Sequence, residues 1–567
     1  MSYYLKKTNL KKGLYLQIYE GHHDKTKGYT RSSVYRTIGY FDALVASGIE
    51  DPIGHFQKEV DALNVNLRLE RERRKHAPPL IGDITPLKCI GYFPIKNILD
   101  DLGVKSYINL FQAVRGFKFS LYEVMSALVF SRMIDPCSKL ATHNDVMPAL
   151  VKDYRCSYDQ ILQACEFLGS EYEKVVELFT VQVQKQYGVN TDTTYFDCTN
   201  FYFEIDKEDG FRRKGPSKEK KSDPIVGLGL LLDADMIPIG MNLFPGNQSE
   251  KPVLRTIVAL LKAKNNIQGR TIHVADKGLN CSENIMQATR ECDGYLFSKS
   301  IKMLPETEKL WVLLDHDWTE VNDDNGSLQY TYKQCVDSFP YSYINDEGRR
   351  KKIYLREKRV VTYSPQLARK QRREINRMVE KAKKLCHSQA KKAEFGETGK
   401  YITFVAKGNT GEKIIPAVNQ QVIDDDLALC GYNLLVTSET HMGPRDLYEV
   451  YHNLWRIEES FRVMKSYLDA RPVFLQKEDS IKGHFLICYI SVLLTRILQF
   501  KRLGNRYGTP ELMKFIRTFK VVKTGEREYL NVTLRSSTID NLSREFDIPL
   551  NNLFISHAAI QKMRLLD

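Results

Sequence analysis

None of the eleven cysteines stands in a Cys-x-x-Cys pair, and no Cys/His run has the spacing of zinc ligands. That excludes a zinc finger or ribbon and a thiol–disulfide motif. Scattered thiols such as Cys89, Cys137, Cys156, Cys165 and Cys198 read as buried side chains in a reducing compartment. Long apolar runs are also missing. The longest, Phe485 to Leu494, spans about ten residues before Arg496, against about 20 for a bilayer crossing, so it reads as a core helix. The N-terminal Met-Ser-Tyr-Tyr-Leu-Lys-Lys has no apolar stretch of the signal-peptide kind. There is no internal repeat and no low-complexity segment. The expectation is a soluble, cytoplasmic chain with no membrane segment.

What the sequence has is length and positive charge. Its 567 residues suit roughly three or four domains, and 43% hydrophobic residues suffice for sizeable cores. Lys and Arg number 83 against 70 Asp and Glu, a net charge of +13. Such a balance favours a polyanionic partner, most simply nucleic acid.

The most informative stretch is 446–465, which contains no Gly or Pro and follows Pro444, a residue tolerated at a helix start. The spacing predicts one helix. Leu447, Val450, Leu454, Ile457, Phe461, Met464 and Leu468 form its core face. Beside that face, Tyr451, Trp455, Glu458, Arg462 and Lys465 fall within about 40° of one direction at 100° per residue. Glu458 thus stands among cations and aromatics, while Glu459 points about 100° away. Ion pairing on a solvated helix explains this pattern equally well. A metal-binding carboxylate beside phosphate-binding cations would need two further acidic residues elsewhere.

In chain order, 1–77 reads as a basic, β-rich domain that ends in a charged helix at 56–76, and Pro78-Pro79 marks a break. Residues 78–188 read as helices, an expected DNA-binding domain. From 189 to 300 the texture changes. A β-prone segment carries Asp197, a basic loop follows at 211–221, and then come strands at Ile225–Leu232 and Ile237–Phe244 and an amphipathic helix at Glu250–Lys264. A strand ending in Asp276, a helix and a short strand complete it. That order is similar to a ribonuclease-H-like core, in which the first and fourth strands are neighbours, so Asp197 and Asp276 should meet at one edge. Paired carboxylates are costly without cations, and hard oxygen ligands select Mg²⁺ or Mn²⁺. Taken singly, each aspartate is equally an ordinary strand-end residue. Residues 301–428 read as a basic insertion, 429–470 as the last core strand and the Glu-bearing helix, and 471–567 as mostly helical. The fold class is therefore α/β: a mixed-sheet core interrupted before its last acidic residue, with helical flanks.

Tyr451, Glu458 and Lys465 stand in the register of a Tyr-x2-Arg-x3-Glu-x6-Lys motif, with Leu454 in place of its Arg. On these residues the chain resembles DDE transposases of the insertion-sequence-4 superfamily. The segments Phe196–Glu204, Gly227–Asp233, Phe244–Asn247, Val274–Gly278 and Arg456–Phe461 are similar to its insertion-sequence-1634 branch. The resemblance implies Asp197, Asp276 and Glu458 as catalytic ligands of two Mg²⁺ ions, with Mn²⁺ able to substitute. It implies Tyr451, Arg462, Lys465 and Lys277 as DNA-binding residues, with Arg456 or Arg462 standing in for the absent Arg. It further implies binding of double-stranded DNA at terminal inverted repeats and at a target, cleavage and strand transfer, and a homodimer or larger assembly on paired ends in the bacterial nucleoid. A nuclease or resolvase without strand transfer, and a domesticated non-catalytic DNA-binding protein, stay open at this point.

Overall fold

A computed structural model describes residues 2–24, 29–76, 86–216, 222–264, 267, 269–344, 347–387, 392–407, 413–524 and 528–566. Lys25, Lys27, the Pro78-Pro79 break and the 217–221 end of the basic loop lie outside them. The chain divides into two units, Met1–Ile84 and Thr85–Asp567.

In the smaller unit β1 (Ser2–Leu10), β2 (Gly13–Asp24) and β3 (Tyr29–Tyr40) form an antiparallel sheet in that order. Helix α1 (Pro52–His76) lies against it. Leu16, Ile18 and Val60 are buried between sheet and helix. The Asn64 side chain holds the Tyr3 backbone through two 2.8 Å hydrogen bonds, one donated and one accepted.

The larger unit opens with the short β4 (Leu87–Cys89), followed by a helical region that includes α2 (Leu121–Ile134), α3 (Tyr158–Ser170) and α4 (Tyr172–Tyr187). Ser120 caps α2 by accepting from Glu123 N, and Ser157 with Gln160 forms a capping box on α3.

The core sheet then begins with β5 (Thr193–Tyr202), β6 (Ile225–Leu232) and β7 (Pro238–Pro245), followed by α5 (Lys251–Ala263) and β8 (Ile272–Ala275). Helix α6 (Ser282–Arg290) leads to β9 (Gly294–Lys299). These five strands stand in the order β7-β6-β5-β8-β9, with β5, β8 and β9 mutually parallel and β6 antiparallel to both of its neighbours, β5 and β7. This is the ribonuclease-H-like arrangement that the order of elements predicts.

The stretch 301–428 is shared between two structures. Its strands β10 (Thr319–Asn322), β11 (Leu328–Ile344) and β12 (Arg350–Tyr363) extend the core sheet. Helix α7 (Pro365–His387), the hairpin β13 (Ile402–Lys407) and β14 (Lys413–Val418), and the helix Gln420–Ala428 form a lobe with its own small core, including Ile375, Val379, Tyr401 and Ile423. Strand β15 (Tyr432–Thr437) inserts between β12 and β9, which makes nine strands in all.

Next come α8 (Pro444–His452) and α9 (Trp455–Arg462), then α10 (Glu478–Arg496) and α11 (Thr509–Thr518). Helix α10 and its continuation to Arg502 are long and apolar enough to cross a membrane by length and composition, yet 94% of the apolar window is buried within the molecule. It is a core helix: apolar all round, it touches α3, α2 and β7. Its contact with α3 needs two glycines, since a Cβ on Gly483 would lie 1.9 Å from Cys165 O and one on Gly169 1.7 Å from Asp479 O. The C-terminal region, read as mostly helical, also contains β16 (Lys520–Lys523), β17 (Glu528–Asn531) and β18 (Phe554–Ser556), and its sheet takes β4 as its fourth strand.

Candidate active site

Side chains alternate along β5. Tyr195 and Phe201 join the core beneath α8–α10, whereas Phe196 and Cys198 join the core on the opposite face. Asp197 therefore points with Tyr195 toward the helical side. On β8, Val274 and Ala275 divide in the same way, which gives Asp276 the same direction. The parallel register pairs Tyr195 with Val274 and Phe196 with Ala275. One residue further, Asp197 and Asp276 stand side by side on strands about 4.8 Å apart. The next neighbour in that row is Ser298 on β9, because Ala275 pairs with Phe297.

Asp276 Oδ1 accepts two hydrogen bonds, from Ser298 Oγ at 2.9 Å and from Tyr451 Oη at 3.0 Å. Asn280 Nδ2 donates to the Ser298 carbonyl at 2.9 Å and secures that strand end. Asp197 Oδ1 accepts from the Cys198 backbone N–H at 2.7 Å. Burial, then the negative charge of Asp276 and, more weakly, that of Asp197 push the Tyr451 phenol pKa well up. Its hydroxyl thus stays a donor to Asp276. Tyr451, expected on a DNA phosphate, is here a ligand of Asp276. Ser298 was missed as part of the site, although its place in the strand register is the signal that finds it.

The helix predicted over 446–465 is interrupted. It runs as α8, a tight turn at Asn453–Leu454 and α9, and then widens into a π turn over Val463–Tyr467. At the break the backbone bonds shorten to three residues, Leu454 N to Tyr451 O at 3.0 Å and Arg456 N to Asn453 O at 3.0 Å. The core face survives the break: Leu447, Ile457, Phe461, Met464 and Leu468 are buried, with Val450 and Leu454 packed beside them.

The second stripe does not survive as one line. Trp455, Glu458 and Arg462 are exposed, Lys465 lies 5.4 Å from the Phe201 ring centroid, and Arg456 lies over Trp455 and Phe500 at 4.7 and 5.3 Å. Leu454, in the place of the motif's Arg, is partly buried against the core. Lys277 is exposed beside Asp276.

The two adjacent glutamates differ sharply. Glu459 accepts from Thr509 Oγ1 at 3.1 Å and pairs with the buried Arg496 at 3.3 Å. Glu458 faces solvent on α9, which packs on β5. Among the described residues no three His, Cys, Asp or Glu side chains are close enough together to hold a metal ion. What is assembled is the aspartate pair, two hard-oxygen donors of like charge on one face, which suits a divalent ion such as Mg²⁺. Glu458 does not close that set in this conformation.

No curated protein matches the chain. A family model described as a transposase DDE domain matches residues 193–494. That span starts at the first residue of β5, reaches into α10 and covers more than half the chain, and on this evidence the chain belongs to the transposase DDE domain family.

Proposed function

We propose that this transposase belongs to the insertion-sequence-4 superfamily, in the insertion-sequence-1634 branch, and that it cuts the ends of an insertion sequence and joins them to target DNA. The observation that carries the proposal is the parallel register that ends with Phe196 opposite Ala275, so that Asp197 and Asp276 follow it on the sheet face against which the Glu458-bearing helix packs. Asp197 and Asp276 hold divalent metal, and Glu458 completes the ligand set on the DNA-bound protein. Two bound Mg²⁺ ions, with Mn²⁺ as a substitute, supply activation of an attacking oxygen and stabilisation of a leaving one. Ser298 and Tyr451 fix the orientation of the Asp276 carboxylate by holding Oδ1. Lys277 and Arg462, both exposed, and Lys465 meet phosphates near the scissile bond. Arg456 braces the helix against Trp455 and Phe500.

In the first reaction water attacks the phosphodiester at the element's end, a P–O bond breaks and a 3′-hydroxyl is freed. In the second that hydroxyl attacks a target phosphorus, and the displaced target oxygen leaves as a new 3′-hydroxyl. A homodimer on paired ends, acting in the bacterial cytoplasm on nucleoid DNA, is the working assembly.

The test is incubation of purified protein with Mg²⁺ and a labelled duplex carrying the element's end, scoring nicks and joined products. Asp197→Asn, Asp276→Asn and Glu458→Gln should each abolish cleavage while retaining duplex binding. Near-normal cleavage by any one of them removes that residue from the site. Nicks without joined products would reduce the activity to that of a nuclease.

A further inference from the structure

The cations of 349–359 differ in burial along the strand. Lys358 and Arg359 are buried, Lys358 donating to Met442 O at 2.6 Å and Arg359 to Glu357 Oε1 at 2.8 Å. Arg350, Lys352 and Arg356 are exposed, and Tyr354 between them is 67% exposed. Among the described residues none of these three cations makes an ion pair. In the β11–β12 ribbon they stand opposite Ile344, Ser342 and Ser338, so all share one face. The other face, with Phe339, Ile353 and Leu355, packs on the apolar core beneath.

The basic face continues the one that carries the aspartates. Val360, on the same side of β12, belongs with Tyr195, Val274 and Leu435 to a single core. Helix α8 covers this face near Tyr330, whose ring stacks on Tyr448 at 4.0 Å, and the loop before it reaches Lys358. Beyond Lys358 the ribbon's face is exposed.

The row through Asp276 crosses Ser298, Leu435 and Val360. A strand rise of about 3.4 Å and a strand spacing of about 4.8 Å place Arg356 about 20 Å and Arg350 about 35 Å from Asp276. At about 3.4 Å per base pair these are reaches of about six to ten base pairs.

We propose that the outer face of the β11–β12 ribbon is a duplex-DNA contact, with Arg350, Lys352 and Arg356 on backbone phosphates about six to ten base pairs from the cut and Tyr354 packed on the intervening sugars. The inference rests on the transposase reading above and adds a binding surface to it. A two-stranded ribbon has the width of a major groove. The face offers donors with no carboxylate among them, and a second copy of this chain, itself at +13, is poorly complementary to it.

The experiment uses full-length protein and a labelled duplex carrying the element's end, without metal, over a range of salt concentrations. The triple variant Arg350→Gln, Lys352→Gln, Arg356→Gln should bind more weakly, with a slope of log affinity on log salt shallower by about 2.7, at about 0.9 per phosphate. Phosphate-ethylation interference should vanish at about six to ten base pairs from the cut and persist at the cut itself. Arg350→Lys with Arg356→Lys keeps the charge and should keep the slope. An unchanged slope and interference pattern in a triple variant that melts like the parent overturns the proposal, and leaves the face to an acidic protein partner. If the parent itself fails to bind the duplex, the transposase reading falls and this surface falls with it.

Discussion

Arg496 is 1% exposed, and its guanidinium meets Glu459, the Ser460 hydroxyl, Gln499 and Thr509. Glu459→Ala leaves that charge buried without its anion, and the expected cost is about 3–5 kcal/mol in a denaturant melt. Glu458→Ala, one residue away and solvent-facing, should stay within about 0.5 kcal/mol of the parent while losing strand cleavage. The two variants together separate fold from chemistry on one helix. Tyr451→Phe removes one of two hydrogen bonds to Asp276 Oδ1. It should lower cleavage about 10- to 100-fold, as loss of a ligand-orienting group does, with duplex binding unchanged, which a gel-shift and a nicking assay read separately. Helical periodicity was enough to point Glu458 and Glu459 into different surroundings. It was not enough to place Tyr451, because its partner Asp276 lies at the end of a strand 175 residues earlier, which no helical period encodes.

Elements are held here by close approach as well as by apolar area. Gly483→Ala places a methyl group 1.9 Å from Cys165 O, where backbone must move. Overpacking of that kind costs about 1–3 kcal/mol or more, and a thermal melt should show the loss. The turn between β6 and β7 has a different sensitivity. Asp233 is fully buried, accepts from Ile237 N at 2.7 Å and Asn190 N at 3.2 Å, and burial pushes its carboxyl up to about 7. In the unfolded chain an aspartate releases its proton near about 3.9. Between those values the folded protein holds a proton that the unfolded one has lost, so stability falls as pH rises through the window. Melting temperatures measured across it should decline, and Asp233→Asn should flatten the decline. The variant should also be less stable throughout, because an amide cannot accept at both positions.

At the scale of the whole molecule, the N-terminal and C-terminal parts of the larger unit are one structure. Strand β4 pairs with β16, Cys89 opposite Lys520, and Phe201 of β5 packs on Phe485 of α10 with ring centroids 4.8 Å apart. A chain ended at residue 470 loses α10 and β16 together, and its circular-dichroism melt should show no cooperative transition. The order of the five central strands was legible because each is a short apolar run punctuated by Gly, Pro or Asp, and the order of such runs limits the topology. The addition of β10–β12 to the same sheet was not legible. Val360 meets Leu435 across 75 residues, and no local pattern encodes a pairing over that span. For the same reason the helices before residue 188 and those after 470 read as separate regions, although α10 is the axis of both.

The pairing of β4 with β16 also has a consequence for how the protein is made. A ribosome has already released both aspartates and Glu458 before it reaches Lys520, yet the helices that back them cannot be sealed until that strand emerges and finds Cys89. A reading-frame lesion between Glu458 and Lys520 should therefore yield an unfinished body that carries all three acidic residues but lacks the strand that pairs with β4.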